Sequence, residues 1–279
     1  MASPHQPELE LIHRPARGSK IQSAPLLFIH GAWHAAWCWD VYFLHYFAEL
    51  GYDAYAVSLR GHGASEGKAN LRWSGLKHFV TDVQHIVSQF DEKPILIGHS
   101  MGGAVVQKYL ETSRARAAVL LASAPPSGVL GVTLKILRRT PFEFLKVHFQ
   151  RDLFPVINNV EHAHHLLFAE QTDDKALAEY HSRLGSESYR VFLDMIGLNR
   201  PKPSAVMKNK LPILVLGAEK DHVFTVAEVR STAFAYGTRA HIFKDMAHDV
   251  MLDPDWVLAA SHIHHWIQSL ESEPKVAAE

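Results

Sequence analysis

The chain has 279 residues, of which 47% are hydrophobic, so it is long enough to bury a large core in one domain or in one domain with an insertion. Its 28 basic and 29 acidic residues give a formal net charge of −1 without any basic run, which argues against nucleic acids and anionic membranes as partners. The single cysteine, Cys38, excludes an intramolecular disulfide.

The N-terminal stretch MASPHQPELE has neither a basic end nor an apolar centre, so it is not typical of a signal peptide. No run of 18 uncharged apolar residues occurs anywhere in the sequence. We therefore expect a cytoplasmic protein without stable membrane insertion. The segment ELELIHRP (8–15) alternates polar and apolar residues, and this pattern predicts an antiparallel edge hairpin.

Short apolar runs bounded by Gly, Pro or charged residues then alternate with helix-like patterns. The strand candidates are PLLFIHG (25–31), YDAYAVSLRG (52–61), KPILIGHS (93–100), RAAVLLASA (116–124), LPILVLGAE (211–219) and RAHIFKDM (239–246). The helix candidates lie near residues 36–50, 74–90, 101–113, 226–236 and 254–270. This alternation predicts an α/β fold with a mostly parallel sheet that is flanked by helices.

One interval, residues 126–210, contains no strand pattern and is rich in phenylalanine. It opens with APPSG and closes with NRPKPS, two Pro-rich stretches that are typical of boundaries. We predict a helical cap here, inserted into an α/β core formed by residues 1–125 and 211–279. Such an insertion emerges above the carboxyl ends of the strands, so we expect it to roof the site and to form an apolar pocket with aromatics such as Phe142 and Phe144.

The stretch LIGHSMGG contains the pattern GxSxG, with Ser100 between Gly98 and Gly102. An apolar run precedes it and a helix-like pattern follows, so the serine lies at a strand-to-helix turn. A side chain at either glycine would collide with the neighbouring strand and helix. The pattern favours a nucleophilic serine, and a helix-capping serine is the alternative.

A serine nucleophile needs a histidine base and an acid that orients the histidine. The chain has 20 histidines, so position along the chain has to select one. In the nucleophile-elbow arrangement the acid and then the histidine follow later strands, which selects Asp221 and His248. Glu219 remains an alternative acid, whereas Asp249 adjoins His248 and is poorly placed to orient it.

These motifs resemble those of the α/β-hydrolase family: HG after an early strand, RGHGASEG, GHSMGG, GAEKD and MAHD, together spanning residues 30–249. The resemblance implies an oxyanion hole formed by the backbone N–H groups of Ala32 and Met101. The opening HGAW resembles plant methylesterases and hydroxynitrile lyases, and the remainder is more similar to bacterial esterases and monoacylglycerol lipases. Many relatives carry Asp where this chain has Ser58, a position that we interpret as structural.

Other conspicuous residues have simpler interpretations. Trp33 is a candidate substrate-binding residue that walls the pocket, while Trp37 and Trp39 also fit a buried helix face. The histidine groups HAHH (162–165) and HIHH (262–265) lack a nearby third ligand, so we expect no metal site.

The sequence thus predicts a serine hydrolase that cleaves small to medium carboxylic esters through an acyl-enzyme and needs no cofactor. Its expected partner is a small-molecule ester, and the sequence does not predict an oligomeric state. The alternatives on the same fold are a thioesterase, a C–C bond hydrolase, a hydroxynitrile lyase and a ligand receptor with slow turnover.

Overall fold

The sheet has seven strands in the order β1-β3-β2-β4-β5-β6-β7. The computed structural model describes residues 6–18 and 24–272, so the first five residues of the N-terminal stretch lie outside it. The strands are β1 (Leu11–Arg14), β2 (Leu26–Ile29), β3 (Ala54–Val57), β4 (Ile95–His99), β5 (Ala117–Leu121), β6 (Ile213–Ala218) and β7 (Ala240–Phe243). Strand β1 runs antiparallel to β3, and every other neighbouring pair is parallel. The predicted mostly parallel α/β sheet is therefore confirmed.

The central strands form the middle of the core. Every residue of β2, β4 and β5 is buried. Strands covered by helices on both faces have no solvated side, which is why their sequences are continuous apolar runs. The edge strand β1 is only partly buried, in keeping with its alternating sequence.

Helices connect these strands and cover both faces of the sheet. They are α1 (Trp37–Asp40), α2 (Phe43–Glu49), α3 (Leu76–Val87), α4 (Met101–Tyr109), α11 (Val226–Ala235) and α12 (Trp256–Ser272). Among the helices that the structure describes, none is both long enough and apolar enough to cross a bilayer.

Residues 126–210, between β5 and β6, add no strand to the sheet, and we call them the helical segment. Its helices are α5 (Leu130–Arg139), α6 (Pro141–Gln150), α7 (Val160–Leu167), α8 (Asp174–Ser182), α9 (Tyr189–Leu193) and α10 (Pro203–Val206). A π-helical turn over Asp194–Leu198 and short 3₁₀ turns join them. Because the segment leaves the sheet at the carboxyl end of β5, it lies on the side where the loops after the parallel strands meet.

Candidate active site

Ser100 occupies a sharp turn between β4 and α4. Its backbone is left-handed, with φ 50° and ψ −118°, a conformation that is strained for any residue with a side chain. A Cβ added at Gly98 would lie 2.5 Å from the carbonyl oxygen of Gly102. A Cβ at Gly102 would overlap the carbonyl oxygens of Ile29 and His30. Only glycine fits at both positions, and this close packing directs the Ser100 hydroxyl above the sheet.

The structure brings Ser100, His248 and Asp221 into one hydrogen-bonded chain. His248 Nε2 lies 2.9 Å from Ser100 Oγ, and His248 Nδ1 lies 2.8 Å from Asp221 Oδ2. The other carboxylate oxygen, Asp221 Oδ1, accepts hydrogen bonds from the backbone N–H groups of Val223 at 2.7 Å and Phe224 at 2.9 Å. The side chains of all three residues are buried. The two backbone donors fix the carboxylate in the orientation that faces the imidazole.

The surroundings of His248 favour its protonated form. Burial alone would lower the pKa of His248, but the carboxylate of Asp221, its hydrogen bond to the ring and the nearby Asp249 together raise this pKa above its ordinary value. An imidazole with a raised pKa is a stronger base toward a hydroxyl proton.

The two alternative acids lie elsewhere. Glu219 directly follows β6 and its side chain is exposed, without a hydrogen bond to His248 in the described part of the chain. The carboxylate of Asp249 is buried and faces His34, whose Nε2 lies 3.0 Å from Asp249 Oδ2. Asp221 is therefore the acid that the fold places against the His248 ring.

Ser100 opens into a small apolar cavity of about 70 Å³. The core contributes Ala32, Trp33 and Met101 to its wall. The helical segment supplies most of the remaining wall, including Val132, Ile136, Phe144, Val147, Leu166 and Phe192. Trp37 and Trp39 are buried in the core and are not part of the wall. An apolar wall of this kind suits a hydrocarbon group better than a charged one.

The expectation that Phe142 shapes this cavity is wrong. The Phe142 side chain is 74% exposed and lies outside the cavity wall, whereas Phe144 is part of that wall. Helix α6 has apolar residues on two faces: Phe144 and Val147 point inward, and Leu145 and Phe149 lie exposed with Phe142. The apolar pattern of such a helix does not identify its inner face.

Two unpaired backbone donors border the cavity beside Ser100. The N–H groups of Ala32 and Met101 donate no hydrogen bond to any residue that the structure describes. Met101 is the first residue of α4, so its N–H has no partner within the helix. Free N–H groups at a helix start favour negative charge nearby.

A contact that the sequence did not suggest holds the loop after β2. Trp33 has a positive φ of 66°; its N–H donates to Glu187 Oε2 at 3.3 Å, and its carbonyl accepts the Gly185 N–H at 2.8 Å. Glu187 also lies 3.1 Å from His62 Nε2, and both side chains are buried. Burial alone would lower the pKa of His62, but Glu187 raises it overall. No local pattern marked Glu187, because its contacts with Trp33 and His62 span 154 and 125 positions of the chain.

Two further residues near Ser100 and His248 were not singled out from the sequence. His99, next to Ser100, lies with its Nε2 3.0 Å from the carbonyl oxygen of His248. His34 has its Nδ1 2.8 Å from the carbonyl oxygen of Ala32. His99, His248 and Asp249 bring potential metal-ligand atoms within 4.8 Å of one another. Both ring nitrogens of His248 are already engaged, so the cluster does not offer three free ligands.

Similar proteins share this sequence and fold. A monoacylglycerol lipase of Mycolicibacterium smegmatis is 26% identical over an alignment of 242 residues, and the alignment covers 80% of each chain. An esterase from Exiguobacterium antarcticum superposes with a TM-score of 0.71 at 16% identity, covering 94% of this chain and 96% of the other. A thermophilic esterase from Thermogutta terrifontis gives a TM-score of 0.73 at 17% identity, covering 96% of each chain. At these identities the two structural similarities establish the fold alone.

The sequence model described as the alpha/beta hydrolase family matches residues 26–260. This range runs from β2 into α12 and includes the elbow, the helical segment and all three residues of the hydrogen-bonded chain. The protein therefore belongs to the alpha/beta hydrolase family.

Proposed function

We propose that this protein is a serine hydrolase that cleaves small carboxylic esters through an acyl-enzyme. The observation that carries the proposal is the Ser100–His248–Asp221 hydrogen-bonded chain, which ends in an apolar cavity beside two unpaired N–H groups. The similarity to a protein named monoacylglycerol lipase supports ester cleavage.

In the proposed reaction, Ser100 Oγ attacks the acyl carbon and its proton passes to His248 Nε2. The N–H groups of Ala32 and Met101 bind the oxyanion of the tetrahedral intermediate. The C–O bond then breaks, and the alcohol leaves with the proton from His248. A water molecule gives its proton to His248 and attacks the acyl carbon, which releases the acid and restores the Ser100 hydroxyl. Asp221 stabilises the imidazolium in both halves of the reaction.

The small volume of the cavity supports a substrate with a short acyl group. Its volume of about 70 Å³ is far below the roughly 300–1,000 Å³ that is usual for pockets of drug-sized ligands. We propose that residues 126–210 act as a cap over the site, and that Trp33 contacts the substrate from the core side. Longer chains would then require α5 and α6 to move apart.

Two measurements test the proposal. The purified protein should hydrolyse nitrophenyl acetate and butyrate faster than longer esters, and a fluorophosphonate should label Ser100 covalently. The variant Ser100→Ala should lose both activities, because among the serines that the structure describes only Ser100 is hydrogen-bonded to a histidine that a carboxylate holds. Labelling that persists in Ser100→Ala would contradict the assignment, and faster cleavage of matched thioesters would favour a thioesterase.

A further inference from the structure

A second acid–histidine pair lies directly beside the proposed triad, and the reaction above does not use it. Asp249 Oδ2 and His34 Nε2 are 3.0 Å apart, and both side chains are almost completely buried. The two atoms are in ion-pair contact but outside hydrogen-bond geometry. A buried carboxylate with so few partners is costly unless it is paired with a positive charge.

The contacts of His34 place it as the partner of that carboxylate. Its Nδ1 lies 2.8 Å from the carbonyl oxygen of Ala32, which only accepts hydrogen bonds, so this nitrogen carries a proton. Its other ring nitrogen, Nε2, faces the carboxylate of Asp249 at 3.0 Å. Burial and the adjacent His248 lower the pKa of His99 to about 3, so the other imidazole near Asp249 stays neutral.

The pair connects two loops whose relative position matters for the proposed reaction. His34 lies two residues beyond Ala32, which supplies one of the unpaired N–H groups, and Asp249 directly follows His248. We infer that His34 and Asp249 are positioning residues that hold the Ala32 loop against the His248 loop. The inference rests on the proposed function, because it assigns a role to the pair in that reaction.

Stability alone does not explain the pair. Replacing both members of a buried ion pair by apolar residues of similar volume is often neutral or stabilising, whereas removing one member leaves an uncompensated charge. A misplacement of about 1 Å at a reacting group costs on the order of 100-fold in rate. Neither His34 nor Asp249 borders the cavity beside Ser100, so loss of the pair should leave substrate binding unchanged.

The decisive comparison is between His34→Leu, Asp249→Leu and the double variant, measured by melting temperature and by kcat and KM for nitrophenyl butyrate. We expect each single variant to melt at a lower temperature than the wild type. The double variant should regain the wild-type melting temperature but keep a kcat that is lower by roughly 10- to 100-fold, with KM changed less than about threefold. Recovery of kcat together with stability would overturn the inference.

Arg60 and Asp82 provide a matched control, because this ion pair has a fully buried carboxylate and touches none of the proposed catalytic groups. The double variant Arg60→Leu/Asp82→Leu should keep the wild-type kcat, and an equal loss there would overturn the inference.

If the His34/Asp249 leucine variants do not fold, Asp249→Asn is the second test, because it keeps the shape of the side chain and removes its charge. Its kcat should fall roughly three- to tenfold, and an unchanged kcat would refute the positioning role. A wild-type protein without turnover would instead refute the proposed function.

Discussion

Two buried carboxylates lie near His248, and only that of Asp221 is hydrogen-bonded to its ring. We predict that Asp221→Asn lowers kcat by about 10⁴-fold, because the amide no longer fixes the imidazole tautomer or stabilises the imidazolium. Asp249→Asn should cost no more than about tenfold, since it leaves the Asp221–His248 bond intact. Steady-state kinetics with nitrophenyl butyrate compare the two variants directly. A larger loss in Asp249→Asn would assign the acid to Asp249.

The raised pKa of His248 also predicts a pH dependence of activity. His248 must be neutral to accept the Ser100 proton, so activity should fall as the pH decreases through this pKa. Because Asp221 and Asp249 together raise the pKa above the ordinary value of 6.5, the acid limb of kcat/KM should have its midpoint above pH 6.5. A pH profile of kcat/KM with a substrate that does not ionise measures this midpoint. A midpoint at or below 6.5 would show that burial outweighs the two carboxylates.

At the scale of one element, α6 offers a matched pair of substitutions. Phe144 lines the cavity, while Phe142, two positions earlier, is exposed. We predict that Phe144→Ala enlarges the cavity and moves the preferred acyl chain to longer nitrophenyl esters. Phe142→Ala should leave the chain-length profile unchanged. Fluorophosphonate labelling of Ser100 should persist in both variants, because α6 supplies none of the groups that activate the hydroxyl.

A chain-length profile that changes equally in both variants would contradict the assigned inner face of α6. A profile that changes in neither would place the determinant of acyl length elsewhere in the wall, and the loop that carries Trp33 is the next candidate. Circular dichroism on each variant separates a change of pocket shape from a loss of folding.

At the scale of the whole molecule, the buried His62–Glu187 contact joins the helical segment to the core. The pKa of His62 is raised above 6.5 in the folded protein, so the pair contributes its full stability below pH 6.5 and loses it as the pH rises through that raised value. We therefore compare the melting temperature of the wild type with that of the double variant His62→Gln/Glu187→Gln. We predict that the difference between them decreases by a few degrees as the pH rises from 6.5 through the raised pKa, since about 1 kcal/mol of stability corresponds to about 2–4 °C. A difference that grows with pH would contradict the sign.

Much of the architecture follows from local sequence. Strands covered on both faces are apolar throughout, so β2, β4 and β5 are recognisable as continuous apolar runs. The elbow is equally local, because its glycines are required by atoms within a few residues or on the next strand. Parallel strands bring their carboxyl ends to one edge of the sheet, so the positions of Asp221 and His248 after two strands predicted their approach to Ser100.

What only the tertiary structure decided concerns side chains whose partners are distant in sequence. Asp221 and Glu219 both follow β6, and the exposure of Glu219 depends on how the loop turns after the strand. Phe142 and Phe144 are both apolar residues of α6, and only packing against the core decides which one points inward. Glu187 meets Trp33 across 154 positions of sequence. Local periodicity reports which faces of an element are apolar, whereas pairs between loops depend on the relative placement of whole elements, which no local pattern encodes.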